Sequence, residues 1–511
     1  MNHTELQSTA AEPRKNSPFL LLLFLALVIR GGVLFVSLSS FDADPDDYAR
    51  LADNWTAYGI FGTGMQATAF RPPLYPWTLK ELSRIQTSPN RRADETPKTF
   101  LSNLALSRNA SIALWHWTLG LFTVLIVYGL ALLANLSPRN AAIVGLLVAI
   151  DPILLQQSRL IMTETLAALF SALMLLSVVI CIKKRYSKLS FVLYLCLGFL
   201  FGLSTLCRPA FYAFIGLVFL AFIAVEISSH FFSKDHEGIS RFPRPIQSVL
   251  NLALFLVGIA VITAPWLLRN LHEFQRPILT TTHSGYTLYL ANNPEIYRHY
   301  ETTPAWTFWN PEKFHAKRAL NYQKALEAEQ IKDNTKEAEL FQDYWTREEA
   351  KKTITASPRT FLYSCFIRVG ELWRIFPNDV ERLQGAPRFK GVTVKTYVRY
   401  AIGAFYGLEL FFALVGLIGL IGICIRRKKN ALSKKSKTFI ETPFLWGVLL
   451  ILSVQIPHLV YWTNMRMRAP LEVFIPLLTV TGIEVTRRFF SALLKKFAQS
   501  TQSPHIDNNQ E

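Results

Sequence analysis

The chain has 511 residues, of which 51% are hydrophobic and 18% charged, with a mean hydropathy of +0.24. Apolar runs such as 18–36, 113–133 and 400–425 exceed what a soluble core needs, and runs of about 20 residues cross a hydrocarbon layer of roughly 30 Å. The formal net charge of +18 does not point to nucleic acid. Its Lys and Arg gather at the ends of apolar runs, as in Lys183-Lys184-Arg185 and Arg426-Arg427-Lys428-Lys429, which is the pattern of cytoplasmic loops.

In chain order, a polar start with Arg14 and Lys15 precedes the first apolar run. That run continues through Arg30 to Ser40 without a small-x-small cleavage site, so it reads as a retained signal anchor with a cytoplasmic N-terminus. About ten spans follow from the pattern: 18–40, 110–135, 138–156, 162–182, 189–206, 209–229, 247–268, 398–425, 443–463 and 469–486. Re-entrant segments would raise the number to about eleven to thirteen. Parity then puts 183–188, 230–246, 426–442 and 487–511 on the cytoplasmic side, where the Lys clusters stand. The domains expected are a tail (1–17), a membrane module (18–268) with a first outer loop (41–109), an extracytoplasmic cap (269–397), C-terminal spans (398–486) and a second tail (487–511). The stretch 497–511 has the composition of a disordered end.

Both large loops carry helical patterns. Tyr48, Leu51, Ala52 and Trp55 give 44–58 an amphipathic spacing, and Leu74–Ile85 repeats it. In the second loop, 311–332 and 335–355 read as charged helices. The aromatic stretch 361–376, with Arg368 and Arg374 able to snorkel, could return to the membrane. Five cysteines (Cys181, Cys196, Cys207, Cys365 and Cys424) form no CxxC or paired spacing, so they read as small packing residues rather than zinc ligands or disulfides. Walker, HExxH, GxSxG and dinucleotide fingerprints have no persuasive context.

The chemistry concentrates on one expected face. Asp42, Asp44, Asp46 and Asp47 leave the first span together, and four carboxylates that close require water, cations or a ligand site. One could serve as a general base, one could cap a helix, or the set could hold a cation. The short turns on that face are poor in Lys but carry Arg159, Arg208, Arg269, Arg466 and Arg468, and Arg71 lies in the first loop. Guanidinium forks suit phosphate oxygens, although each could instead snorkel or pair with an acid such as Glu164 or Glu472. His458 reads as a packed histidine.

Five segments together resemble the GT-C superfamily of membrane glycosyltransferases, in the bacterial branch related to protein O-mannosyltransferases and the lipid A aminoarabinose transferase. They are Asp44-Pro-Asp-Asp-Tyr48 with Leu51-Ala52, Arg71-Pro-Pro-Leu-Tyr75-Pro76, Ala264-Pro-Trp-Leu-Leu-Arg269-Asn270, the loop from His283 to Asn293-Pro294 and Arg466-Met-Arg468-Ala-Pro470. The resemblance implies an all-α polytopic fold and a sugar donor on a polyprenyl monophosphate. It also implies a site on the outer face of a bacterial inner membrane, no metal and no cofactor. It makes Asp44 the catalytic base and Arg71 a contact to the donor phosphate, assisted by Arg269, Arg466 and Arg468. Tyr48, Tyr75, Arg159, Glu164, Arg208 and Asn293 are further candidates for the substrate site. The partners expected are membrane lipids, the donor and an unidentified extracytoplasmic acceptor. The polar insertion at 87–98 departs from the family pattern. Two rival readings are a polyprenyl-linked glycan ligase or polymerase and a transporter or scaffold. The first is disfavoured by acids placed directly after the first span, the second by charges at span ends rather than mid-membrane.

Overall fold

A computed structural model describes residues 17–86, 107–232, 243–377, 396–429 and 439–500. The insertion at 87–98 and the tail beyond 500 lie outside them. Among the described residues the fold is all-α apart from one two-stranded hairpin, and it is a polytopic bundle whose seven long apolar helices are counted over those residues alone. Seven helices are long and apolar enough to span a membrane: α1 (Ser17–Val36), α4 (Arg108–Leu133), α7 (Glu164–Lys183), α8 (Ser190–Cys207), α9 (Phe211–Phe232), α10 (Arg244–Phe274) and α16 (Thr396–Lys429). Two shorter apolar helices, α5 (Pro138–Ile150) and α17 (Pro443–His458), and one broken pair complete the set. These elements occupy the ten apolar segments expected.

Two segments differ from simple spans for local reasons. The segment 138–156 breaks at Asp151, whose carboxylate accepts from Leu154 N at 2.7 Å and so caps α6 (Pro152–Gln157). The last segment begins as a 3-10 turn, Met465–Leu471, interrupted by Pro470. It then bends by 74° into α18 (Ile475–Ser500).

α7 is the most enclosed span and sits at the centre of the bundle. Close packing elsewhere rests on glycine: a Cβ on Gly198 of α8 would stand 2.2 Å from Phe255 O of α10, and one on Gly258 would stand 2.5 Å from Leu195 O. Without an apolar driving force between helices in lipid, such backbone approach is what holds α8 to α10.

The loops after α1 and α10 meet at one end of the bundle. The first holds α2 (Tyr48–Tyr58), the hairpin Gly62–Thr63 with Gln66–Ala67, and α3 (Leu74–Gln86). α2 ends at Gly59, whose φ of 69° suits glycine. The second holds α11 (Ser284–Ala291), α12 (Pro294–Thr302), α13 (Glu312–Ala328), α14 (Lys336–Ala356) and α15 (Pro358–Leu372). Thr335 caps α14 through Ala338 N. Glu339 of α14 joins the loops by accepting from Thr68 Oγ1 at 2.7 Å, from Ala69 N at 2.9 Å and from the Thr282 hydroxyl. At 2.9 Å each, Arg269 of α10 donates to Thr68 O and Phe61 O, fastening the hairpin to the bundle.

Candidate active site

The chain leaves α1 through a 3-10 turn, Leu38–Asp42, and enters α2 only at Tyr48. The helix expected from residue 44 therefore starts four residues late, because Asp44 acts ahead of it. Its Oδ2 accepts from Arg50 N at 2.9 Å, inside the first turn of α2. Asp47 occupies the cap position in the left-handed region (φ 62°) without a capping bond, and it pairs with Arg50 Nε at 3.0 Å. Asp42 faces outward and accepts from Asn109 Nδ2 at 2.8 Å.

Asp44 and Asp46 differ in environment. Burial pushes the Asp44 carboxyl above the usual carboxylate range, against the opposing pull of the α2 backbone N–H groups. Its Oδ1 is buried and has no hydrogen-bond partner among the described residues. Burial would also raise Asp46, but the guanidinium groups of Arg71, Arg466 and Arg208 hold it below its usual value. Asp46 Oδ1 accepts from Arg71 Nη2 at 2.9 Å, and Oδ2 lies 3.9 Å from Arg466 Nη2.

The network continues through Glu164, which opens α7 and is almost fully buried. Its Oε1 is 3.8 Å from Arg466 Nε and 3.5 Å from Arg208 Nη1. Arg71, Arg208 and Arg466 thus alternate with Asp46 and Glu164, leaving one positive charge in excess. The Arg71 guanidinium also lies 5.5 Å from the Tyr48 ring centre and 5.3 Å from that of Phe70. Burial and the neighbouring arginines lower His283 to about 3, so the imidazole facing Phe70 at 4.4 Å is neutral at physiological pH.

Other expected residues hold the frame. Tyr75 is fully buried and packs edge-on against Tyr48 at 5.3 Å. Its hydroxyl meets His116 Nε2 at 2.9 Å, while His116 Nδ1 meets Ser158 O at 2.8 Å. A carbonyl only accepts, so Nδ1 carries the proton and Nε2 accepts from Tyr75. Arg159, on the same turn as Ser158, reaches Ser40 Oγ at 3.5 Å. Asn293 is buried and caps α12 by accepting from Glu295 N and Ile296 N at 3.0 Å, so its side chain is not presented to a ligand.

The six arginines grouped by sequence also separate. Arg71 and Arg466 converge on Asp46, joined by Arg208. Arg269 spends its donors on loop carbonyls and on Asn270 Oδ1. It lines a mainly apolar groove of about 430 Å³ with Trp55, Trp77 and Trp266. Arg468 is completely buried, paired with Glu472 and bonded to Leu372 O and Arg374 O. In a 3-10 turn residues two apart point in different directions, which splits Arg466 from Arg468. Sequence reading left Asp46 as a helix-capping or solvated companion of Asp44 and gave His283 no role. The signals available were the Asp-Pro-Asp-Asp spacing and the His-Ser-Gly segment, neither of which specifies a partner.

Residues 99–271 match the family model described as dolichyl-phosphate-mannose-protein mannosyltransferase. Among solved structures, the chain is similar to the Archaeoglobus fulgidus oligosaccharyltransferase crystallised with Zn and sulfate. The identity is 15% and the TM-score 0.47, over 94% of this chain and 52% of that one. The chain thus spans about half the length of that protein. It is also similar to ArnT from Cupriavidus metallidurans, in the apo state (14% identity, TM-score 0.36, 92% of this chain and 77% of that one) and bound to undecaprenyl phosphate (15%, 0.36, 93% and 78%). No protein of curated function matches. By class, the chain is an all-α, multi-span membrane protein. Within that class, its residues 99–271 are similar to the dolichyl-phosphate-mannose-protein mannosyltransferase family.

Proposed function

We propose that this chain is a membrane glycosyltransferase of GT-C type that moves a sugar from a polyprenyl-phosphate donor to an acceptor on the extracytoplasmic face, in a bacterial inner membrane. The observation that carries the reading is the pairing of an available base with an anion site. Asp44 has a free, buried Oδ1, and two residues on, Asp46 gathers Arg71 and Arg466. The match to a family named for a polyprenyl-phosphate sugar donor supports the donor class.

An acceptor O–H or N–H attacks the anomeric carbon while Asp44 Oδ1 takes its proton. The bond from that carbon to the lipid phosphate oxygen breaks, and the electron pair leaves with the phosphate. Attack opposite the leaving group inverts the anomeric centre. Arg71, Arg208 and Arg466 carry one positive charge more than Asp46 and Glu164 neutralise, so the phosphate gains stabilisation as its charge develops. Held already in ion pairs, these arginines need little reorganisation at that moment. Tyr48 and neutral His283 form the wall beside Arg71.

The test is transfer of labelled sugar from a polyprenyl-phosphate donor pool into lipid and protein fractions by the full chain. Asp44→Asn should lower turnover by about 10²–10⁴-fold with the fold intact, and Arg71→Ala should raise the donor KM. Near-wild-type turnover in folded Asp44→Asn would remove the assignment of the base. Absence of transfer to any fraction by the wild type would remove the activity.

A further inference from the structure

A second group of acids gathers beside the turn that carries Arg466. Asp151 ends α5, Glu409 projects from α16 and Glu472 follows the 3-10 turn. One carboxylate oxygen of each lies within 4.8 Å of the others. Their exposures are 0%, 3% and 0%, so water does not screen them.

The polar partners present do not balance this group. Asp151 is satisfied: Oδ1 accepts from Leu154 N and Oδ2 from the Tyr406 hydroxyl at 3.0 Å, which itself accepts from Ile153 N at 2.9 Å. Arg468 donates through Nε to Glu472 Oε1, and its guanidinium lies 4.4 Å from the Tyr406 ring centre. Among the described residues, both oxygens of Glu409 and Oε2 of Glu472 are buried without a hydrogen-bond partner. Two buried guanidinium groups face the three carboxylates, Arg468 and, acting on Asp151 while donating to Val148 O, Arg30. Full ionisation would still leave a net negative charge in a dry interior, which proteins avoid by pairing or metal coordination.

We propose that Asp151, Glu409 and Glu472 bind one hard divalent cation, of the Mg²⁺, Ca²⁺ or Mn²⁺ type. The donor set is all oxygen, as these ions require, and the cation's charge offsets the negative excess. The three ligands come from separate elements, so the ion ties α5 and α16 to the bend after the 3-10 turn. A narrow cavity of about 20 Å³, comparable to the space of one water, lies alongside and is lined by Tyr406, Pro152, Gln156 and Arg466. Its lining includes Tyr406, the hydroxyl partner of Asp151, and Arg466 of the candidate active site. The ion therefore braces the backbone that presents Arg466 and does not itself meet the substrate.

The experiment reads metal rather than sugar transfer, so it is independent of the glycosyltransferase reading. The full chain, purified in detergent without a polyhistidine tag, is stripped with EDTA and titrated with Mn²⁺. Free Mn²⁺ is followed by its electron paramagnetic resonance signal and unfolding by a thermal melt. About one Mn²⁺ should bind per chain, with a rise in the melting temperature, as expected when an ion binds only the folded state. Glu409→Gln and Glu472→Gln should each weaken binding about tenfold or more, on the scale seen when a metal site is disturbed. A wild type that binds no Mn²⁺, Mg²⁺ or Ca²⁺ and melts identically with and without EDTA would overturn the proposal, leaving shared protons as the means of neutralisation. Binding that survives both Gln variants but disappears in Asp46→Asn would also overturn it, by moving the ion elsewhere.

Discussion

Asp46 and Arg71, 25 residues apart in the chain, meet at 2.9 Å through Oδ1 and Nη2, and the other carboxylate oxygen faces Arg466. This contact divides labour within the acidic run. Asp46 is committed to arginines, and Asp44, turned toward the start of α2, keeps an oxygen free.

That division has a pH signature. A general base works only when ionised, so the rate falls as pH drops through the pKa of the base. Asp44 is raised above its ordinary value of 3.8 and Asp46 is lowered below it. The acid limb of kcat/KM should therefore lie above the ordinary carboxylate range, and the residual rate of Asp44→Asn should lack it. A limb below pH 3.8 in the wild type would instead assign the base to Asp46.

The Asp46–Arg71 pair should act through donor binding. Asp46→Asn and Arg71→Ala should each raise the donor KM by about tenfold, in keeping with the roughly 1.5–3 kcal/mol of a charged hydrogen bond. The double variant should cost less than the sum, since the two share one contact. Full additivity in a double-mutant cycle would show that the pair is not coupled.

Arg466 and Arg468 should separate by phenotype. Arg468 is buried against Glu472, and removing one partner of such a pair costs about 3–5 kcal/mol. Arg468→Met should therefore lower the melting temperature markedly, whereas Arg466→Ala, at a quarter-exposed side chain, should melt near wild type and lose donor affinity. Equal melts for the two would contradict the structural role of Arg468.

Arg269 fastens the first loop. Losing its bonds to Thr68 O and Phe61 O should raise amide exchange across 60–70 in Arg269→Ala, with α8 and α10 unchanged. Unaltered exchange in that hairpin would mean the bonds do not hold it.

Sidedness is tested by cysteine labelling in a chain freed of its natural thiols. Cysteine at exposed Glu329, in the second loop, should react with an impermeant reagent from outside, and one at exposed Lys188 should not. The reverse result would invert the expected orientation.

Much of the frame was legible in the sequence. Apolar length gives the spans because an unbroken hydrophobic run has few alternatives to a helix in lipid, and Pro152 and Pro470 mark breaks that a hydropathy window smooths over. Asp44 and Arg71 were legible as candidates through motif resemblance. Asn293 was misread as a candidate ligand residue because a buried helix cap and a binding asparagine look alike in one dimension.

By itself, then, the sequence determined an all-helical membrane protein with acids after the first span and arginines at the span ends, since composition and period are local properties of the chain. Only the tertiary structure decided which charges meet. It sent Arg466 to Asp46 and Glu164 and Arg468 to Glu472, fixed Arg269 on the first loop, and brought Asp151, Glu409 and Glu472 within reach of one another. Ion pairing depends on distance and burial between elements far apart in the chain, and no spacing along a single strand of sequence encodes either.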